Sequence, residues 1–280
     1  MNLILVSIGV FQDYILTNIQ QLLILGHTSI YVITESSFFD KFDGYDVKLV
    51  DVASLVDSYQ FNSVTKMDNG FRDGFWTSTS SRFFYIYALM KRDGIIDVIH
   101  IENDVLLYYN CDILQSRLDR TKIYLPFDSY SRNIASIMYI PSHLIFEKVL
   151  DRFIYSENDM YNFSLIRKIM PETIDQFPIC CPSESFTLEQ KYVCSNFDLF
   201  KMIFDAAAIG QYLGGVDPRN TPGDTRGFIN ETCVIKYTDF VYKWITGNDG
   251  VRRPFIILKN GDSIPIFNLH IHCKCLEVFC

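Results

Sequence analysis

Several features that define other classes of protein are missing from this sequence of 280 residues. Its eight cysteines form no Cys-x-x-Cys pair, so the spacing typical of structural zinc sites and redox motifs is lacking. No apolar run approaches the roughly 18–20 residues that a membrane-spanning helix needs. No nucleophile elbow or catalytic-triad motif is evident, which counts against a hydrolase. The formal net charge of −8 disfavours a broad nucleic-acid interface.

What is present is the composition of a globular protein. Hydrophobic residues make up 49% of the chain and charged residues 21%, so a sizeable core is expected and disorder is not. The N-terminal stretch MNLILVSIGV has neither the basic residues nor the cleavage site of a secretory signal. We therefore expect a soluble, cytoplasmic protein whose eight thiols are free and mostly buried.

Hydrophobic periodicity alternates between strand-like and helix-like along the first third of the chain. Continuous apolar runs predict strands, and apolar residues three or four positions apart predict helices. The predicted strands cover 2–8, 29–34, 45–52 and 97–101, and the predicted helices cover 12–25 and 79–92. Short connections between such elements favour parallel strands, with ligands bound beyond their carboxyl ends. The sequence therefore predicts an α/β fold.

The second half of the chain is less regular. Residues 134–140 are predicted to form a strand, and Pro141-Ser142 to begin a helix that continues to about residue 154. A run of small residues predicts a helix over 203–213. An alternating pattern over 262–276 indicates a late strand or an extended tail.

The stretch VIHIENDVLLY over 98–108 places two acids inside an otherwise apolar run. Burying unpaired carboxylates is costly, so Glu102 and Asp104 need either a turn to solvent or a cation. An acid-x-acid triplet at the end of a strand can offer oxygens to one divalent cation that bridges two phosphates. The alternative is that both acids are simply solvated in a loop.

Two of the five histidines lie close together in the segment NLHIHCK near the end of the sequence. In an extended segment His270 and His272 point to the same side, and so does Lys274. A histidine there is a candidate third protein ligand for the cation, and Lys274 is a candidate to neutralise phosphate. Two alternatives stay open: a zinc site that also uses Cys273 and Cys275, and a purely structural histidine pair.

Together with NIASIMYI and FDAAAIGQYLGG, these stretches resemble the motifs of GT-A-fold, nucleotide-sugar-dependent glycosyltransferases. Residues 102–104 are similar to the DxD motif of that family, with Glu in place of the first Asp. The layout is similar to that of glycogenin-like and lipooligosaccharide-galactosyltransferase enzymes, and to enzymes encoded by large viruses and bacteria.

The resemblance implies a single domain of the GT-A type, with a Rossmann-like, mixed but mostly parallel sheet flanked by helices. The domain would cover 1–280, with a donor-nucleotide half at about 1–110 and an acceptor and sugar half at about 111–280. The implied activity is transfer of a sugar from a nucleoside-diphosphate donor, UDP on family grounds, to an acceptor hydroxyl of a glycan or glycoconjugate. The implied cofactor is Mn²⁺ or Mg²⁺.

The resemblance also assigns the metal site. Asp104 would bind the metal directly, and Glu102 would meet the metal or the ribose. His272 or His270 would be the C-terminal metal histidine, although the family's histidine–glycine–lysine pattern is not reproduced here. Lys274 would be the phosphate-binding lysine.

Further residues are assigned to the nucleotide by position. Arg82, in the helix before the acidic strand, resembles the basic residue that contacts the nucleotide or diphosphate; the alternative is a surface arginine. Ile8 and Gly9 after the first strand, and Glu35 after the second, lie where the uridine rests in this family. Asn103, between the two acids, belongs to the same nucleotide site.

The segment FDAAAIGQYLGG supplies the candidate catalytic residues, Asp205 and Gln211, which are expected to face the donor sugar or the acceptor. If the enzyme inverts, Asp205 is the candidate general base for the acceptor hydroxyl; if it retains, Asp205 orients sugar or acceptor. The small alanines would let the chain approach a sugar ring, and Gly214-Gly215 permits close backbone approach. The alternative is a well-packed helix with a glycine C-cap.

Two other functions stay open. A catalytically silent nucleotide- or carbohydrate-binding relative would share the fold, although the complete set of candidate metal ligands counts against it. A sugar-nucleotide pyrophosphorylase would need a glycine-rich, basic loop after the first strand. This chain has SIGVFQDY there, with one glycine and no lysine or arginine.

Overall fold

A computed structural model of the chain describes residues 1–67, 70, 74–220 and 226–280, which include every candidate site residue named above. The strands are β1 (Asn2–Ser7), β2 (Ile30–Thr34), β3 (Lys48–Asp51), β4 (Val98–Ile101), β5 (Val105–Leu107), β6 (Ile123–Pro126), β7 (Ile137–Ile140), β8 (Ile174–Phe177), β9 (Val241–Thr246), β10 (Arg252–Ile257), β11 (Ser263–Pro265) and β12 (Asn268–His270). The α-helices are α1 (Tyr14–Ile24), α2 (Phe61–Val64), α3 (Phe75–Asp93), α4 (His143–Leu150), α5 (Asp159–Ile169), α6 (Leu188–Val193), α7 (Phe197–Phe200) and α8 (Ile209–Tyr212). None of the helices within the described ranges is both long and apolar enough to cross a bilayer.

Seven strands form the central sheet, in the order β3-β2-β1-β4-β7-β6-β8. Strand β7 is antiparallel to both of its neighbours, and the other neighbouring pairs are parallel. The predicted α/β fold with a mixed, mostly parallel sheet is therefore confirmed. Because β1, β2 and β4 run in the same direction, the residues that follow them meet at one edge of the sheet.

Both faces of the sheet are covered by helices, which explains the continuous apolar runs in the sequence. Alternate residues of a strand point to opposite faces. In β1, Leu3 and Leu5 pack in the core beneath α1, whereas Ile4 packs in the core beneath α3. The edge of the sheet, not its faces, is therefore where polar side chains can gather.

The C-terminal part of the chain returns to the central sheet. Strand β12 pairs antiparallel with β5, placing His270 opposite Val105 and Asn268 opposite Leu107. Strands β9, β10 and β11 form a separate antiparallel sheet. Since β5 begins only four residues after the end of β4, this pairing brings the C-terminal histidines beside the acidic turn.

The predicted helix over 203–213 is wrong for most of its length. Only Ile209–Tyr212 is helical, and Ile203 forms a β-bridge with Ile266 instead. Ala207 adopts a left-handed backbone with φ +56°, which is incompatible with a helix passing through it. A run of small residues here serves a sharp turn, which helix propensity alone does not reveal.

Candidate metal centre

Residues 102–104 form a tight turn directly after β4. The backbone N–H of Glu102 donates to Ser136 O at 2.9 Å. The side chain of Asn18, fully buried in α1, donates to the carbonyl oxygens of Asn103 and Val105, both at 3.0 Å. The backbone of the turn is therefore fixed by the sheet on one side and by a helix on the other.

The two acids of this turn face an open space, whereas the amide between them is used to hold the turn. Asn103 Nδ2 donates to Val6 O and to Gln12 Oε1, both at 3.0 Å. Glu102 and Asp104 line a cavity of about 480 Å³. The acids thus lie at the carboxyl end of the sheet, as the interrupted apolar run predicted.

The C-terminal segment brings a histidine to the turn. The N–H of Ile271 donates to Asp104 O at 2.8 Å. His270 Nε2 lies 3.1 Å from Glu102 Oε2 and 3.3 Å from Asp104 Oδ2. One ligand atom from each of these three side chains lies within 4.8 Å of the others. Two carboxylates and one imidazole at this separation fit a single divalent cation.

Of the two candidate histidines, the geometry favours His270. Its ring and that of His272 are in edge-to-face contact, with centroids 4.2 Å apart, and both line the cavity. Burial and the neighbouring His270 lower the pKa of His272 to about 3, so this ring is neutral at physiological pH. The zinc alternative is not supported: among the described residues, the group close enough to share a metal contains no cysteine, and Cys275 is exposed.

Opposite charges keep both acids ionised although they are largely buried. Arg82 Nη1 lies 2.5 Å from Glu102 Oε1, and Lys274 forms an ion pair with Asp104. Burial opposes ionisation, but Arg82 and His270 hold the pKa of Glu102 well below its usual value. Burial is likewise outweighed at Asp104, whose pKa is lowered by Lys274 and His270. Ionised carboxylates are the form that binds a cation.

The same carboxylates act on His270. Burial disfavours its protonated form, but Asp104 and Glu102 outweigh burial and raise the pKa of His270 to about 10. A proton on Nε2 and a divalent cation therefore compete for the same atom. The other ring nitrogen, Nδ1, is buried and has no hydrogen-bond partner among the described residues.

Arg82 lines the cavity but is engaged on the protein side. It is only 8% exposed, and its guanidinium contacts a second buried acid, with Nη2 3.5 Å from Asp159 Oδ2, in addition to Glu102. The same nitrogen donates to Ala135 O at 3.3 Å. The alternative of a surface arginine is therefore wrong. Any contact of Arg82 with a nucleotide or diphosphate is made from a guanidinium that already holds Glu102.

The three residues assigned to the nucleoside lie together, as parallel strands require. The N–H of Gly9 donates to Glu35 Oε1 at 2.7 Å, linking the ends of β1 and β2. Ile8 lines the cavity, whereas Gly9 and Glu35 are not among its lining residues.

Asp205 does not face the cavity, contrary to the sequence-based expectation. Its side chain has 0% exposure, and its carboxylate accepts the backbone N–H groups of Ala208, Ile209, Gly210 and His270 at 2.8–2.9 Å. A carboxylate with four such bonds has no free position for an acceptor hydroxyl. Its proposed role as general base, or as a group that touches sugar or acceptor, is therefore corrected.

Gln211, in contrast, is buried against the cavity and lines it. Its Nε2 donates to the carbonyl oxygen of Ala207, which also lines the cavity.

The close backbone approach expected of the two glycines is found at Gly215, where a Cβ would lie 2.8 Å from Gly210 O. The small residues thus shape the cavity wall, although they do so through a turn and not a long helix.

Three polar groups that contact or line the site escaped the sequence analysis. Asn18 had a usable signal, because it is a polar residue beside the apolar stripe of a predicted helix. Asp159 begins α5 and meets the site only through tertiary packing. Asp217 and Arg219 form a bidentate pair at the cavity wall, with Arg219 Nε 3.1 and 3.0 Å from the two carboxylate oxygens. An Asp-x-Arg triplet is too common in sequences to mark a site by itself.

Models of known protein families give no match to this sequence, and neither does any curated protein. Solved structures that are similar include mouse xyloside xylosyltransferase 1, with 12% identity and a TM-score of 0.46 over 71% of this chain and 92% of that one. The galactosyltransferase LgtC, in complex with donor and acceptor sugar analogs, is 10% identical, with a TM-score of 0.40 over 64% of this chain and 73% of that one. A cytidylyltransferase from Leptospira borgpetersenii is 8% identical, with a TM-score of 0.42 over 71% of this chain and 84% of that one. The mixed, mostly parallel sheet flanked by helices and the acidic turn after β4 agree with the architecture that the sequence resemblance implies.

Proposed function

We propose that this chain is a metal-dependent glycosyltransferase that moves a sugar from a nucleoside diphosphate, UDP in the first instance, to a hydroxyl of a glycan or glycoconjugate. The observation that carries the proposal is the convergence of Glu102, Asp104 and His270 within 4.8 Å. They meet in a cavity of about 480 Å³ at the carboxyl edge of the sheet. A cavity of this volume suits a ligand of nucleotide size.

The three side chains fit Mn²⁺ or Mg²⁺. Carboxylate oxygens suit both cations, and the imidazole nitrogen favours Mn²⁺. When bound, the cation would supply Lewis-acid stabilisation of the negative charge that develops on the departing diphosphate. Glu102, Asp104 and His270 would hold it, and the ion pair of Arg82 with Glu102 keeps that carboxylate oriented.

Residues in and beside the cavity would bind and orient the substrates. Lys274 places a positive charge at the cavity wall beside Asp104, where it would contact phosphate oxygens. Ile8 with Gly9 and Glu35 marks the nucleoside end, since these residues follow β1 and β2. Gln211 uses its amide nitrogen within the protein, so its amide oxygen is the atom that would accept a hydrogen bond from a sugar hydroxyl.

Calorimetric binding of UDP, GDP and CDP, each with Mn²⁺ and with EDTA, tests the proposal. We expect UDP to bind in Mn²⁺ and to lose that binding in EDTA. The matched control is Asp249→Asn, which removes a carboxylate of an ion pair outside the cavity and should bind like the wild type. Nucleotide binding that is insensitive to EDTA would remove the metal from the site. A folded protein that binds none of the three would favour the silent relative.

A further inference from the structure

Asp205 joins two parts of the chain that lie 65 positions apart. Its Oδ1 accepts the N–H groups of Ala208 and Ile209, both at 2.8 Å. Its Oδ2 accepts the N–H of Gly210 at 2.8 Å and the N–H of His270 at 2.9 Å. One carboxylate therefore fixes the turn that leads into α8 and, at the same time, the main chain of a candidate metal ligand.

The same two segments are also in close steric contact, at Gly210 and His270. A Cβ at Gly210 would lie 2.2 Å from His270 O, so only glycine permits this approach of two backbones. Asn268 adds a third link, because its side chain exchanges hydrogen bonds with the main chain of Asp205 at 3.3 and 3.4 Å. The N–H of His270 is thus hydrogen-bonded to Asp205, and its carbonyl oxygen lies close against Gly210.

We propose that Asp205 is a positioning residue that holds His270 so that Nε2 stays within reach of both Glu102 and Asp104. This inference rests on the proposed function, since it assigns Asp205 to the metal site of that enzyme. Without the carboxylate, the N–H of His270 loses its acceptor at the last residue of a three-residue strand, where the ladder with β5 ends. Groups that orient a metal ligand typically contribute about 10- to 100-fold to metal affinity.

Two variants test the inference by different physical routes. Asp205→Asn keeps the shape of the side chain, but its NH₂ group cannot accept, so one pair of N–H groups loses its acceptor. Gly210→Ala leaves the carboxylate intact and pushes against His270 O. The control is Gln176→Ala, which removes a fully buried, hydrogen-bonded side chain in β8, outside the cavity.

Mn²⁺ affinity is measured by electron paramagnetic resonance at a temperature where circular dichroism finds every variant folded. Asp205→Asn and Gly210→Ala should each weaken Mn²⁺ binding about 10- to 100-fold. Gln176→Ala should lower the melting temperature and leave Mn²⁺ affinity unchanged. Unchanged affinity in the two site variants, or an equal loss in the control, would overturn the inference.

Amide hydrogen exchange gives a readout that needs no metal. Peptides containing residues 208–210 and His270 should lose protection in Asp205→Asn, whereas the rest of the sheet keeps it. If the wild type itself binds no Mn²⁺, the proposed function fails, and exchange then decides separately whether Asp205 holds His270. Unchanged protection at His270 in Asp205→Asn would show that it does not.

Discussion

The two sides of the candidate metal centre are built in different ways. Glu102 and Asp104 lie on a turn that continues directly from β4 and is held by a main-chain bond to the neighbouring strand and by Asn18. His270 ends a three-residue strand and is held by a carboxylate 65 positions earlier in the chain. Ligands that are adjacent in sequence can be secured by the sheet itself, whereas a distant third ligand needs a dedicated tertiary contact.

The C-terminal side also contains the less favourable backbone. Lys274, four residues after His270, adopts a left-handed conformation with φ +65°, and so does Ala207 in the turn after Asp205. This conformation costs a residue other than glycine about 1–2 kcal/mol. In the described chain, none of residues 102–104 has a positive φ. The acidic turn is therefore the relaxed side of the centre, and the histidine side depends on its surroundings.

The largest effect on metal binding is expected at the acidic turn. Asp104→Asn removes the negative charge of a candidate ligand whose Oδ2 lies 3.3 Å from His270 Nε2. We expect Mn²⁺ affinity to fall by more than about 100-fold, beyond the range for residues that only orient ligands. Calorimetry with Mn²⁺, and circular dichroism to verify the fold, check this. Affinity within a few-fold of the wild type would exclude Asp104 from the site.

A smaller effect distinguishes the two histidines on the other side. His270→Ala removes the nitrogen that lies near both carboxylates, while the acidic turn keeps two ligands in place. We expect about a 10-fold or greater loss of Mn²⁺ affinity, and a clearly smaller loss for His272→Ala, which removes a ring in contact with the first. The same titration on both variants decides the assignment. The reverse order would make His272 the ligand.

The acidic side of the centre could be predicted from the sequence, and the histidine side only in part. The interruption of an apolar run by Glu102 and Asp104 is a local signal, and it located the turn correctly. His270 and His272 both line one cavity as expected, but the predicted extended segment is wrong beyond His270, because β12 ends there and His272 lies in a turn. Nothing local distinguishes a base from a structural carboxylate at Asp205, because its four donors are set by a left-handed turn and by a strand far along the chain.

His27 lies between α1 and β2, away from the ligands, and is expected to affect stability without affecting the metal centre. Burial lowers its pKa to about 4, so on acidification the unfolded chain takes up a proton at about pH 6.5 while the folded chain does not. Stability therefore falls as pH drops from 6.5 towards 4. Between pH 7.5 and 5.0 this group accounts for a loss of about 2 kcal/mol.

His27→Gln should remove that loss and leave Mn²⁺ affinity at pH 7.5 unchanged. The free energy of unfolding in urea, measured for both proteins at the two pH values, isolates the contribution, because the remaining buried histidines are common to both. If the free energy of unfolding fell equally in the wild type and the variant between pH 7.5 and 5.0, the acid sensitivity would not come from His27.

The contact between Asp205 and His270 also has a consequence for how the chain can vary in length. It closes a loop of about 65 residues, and the entropy of loop closure grows only with the logarithm of length. Doubling such a loop costs about 0.6 kcal/mol. The hairpin turn between β9 and β10 lies within this loop, so residues inserted there lengthen the loop without moving either of its ends. A peptide tag or a small reporter domain placed in that turn is a route to labelling the protein with the metal ligands left in register.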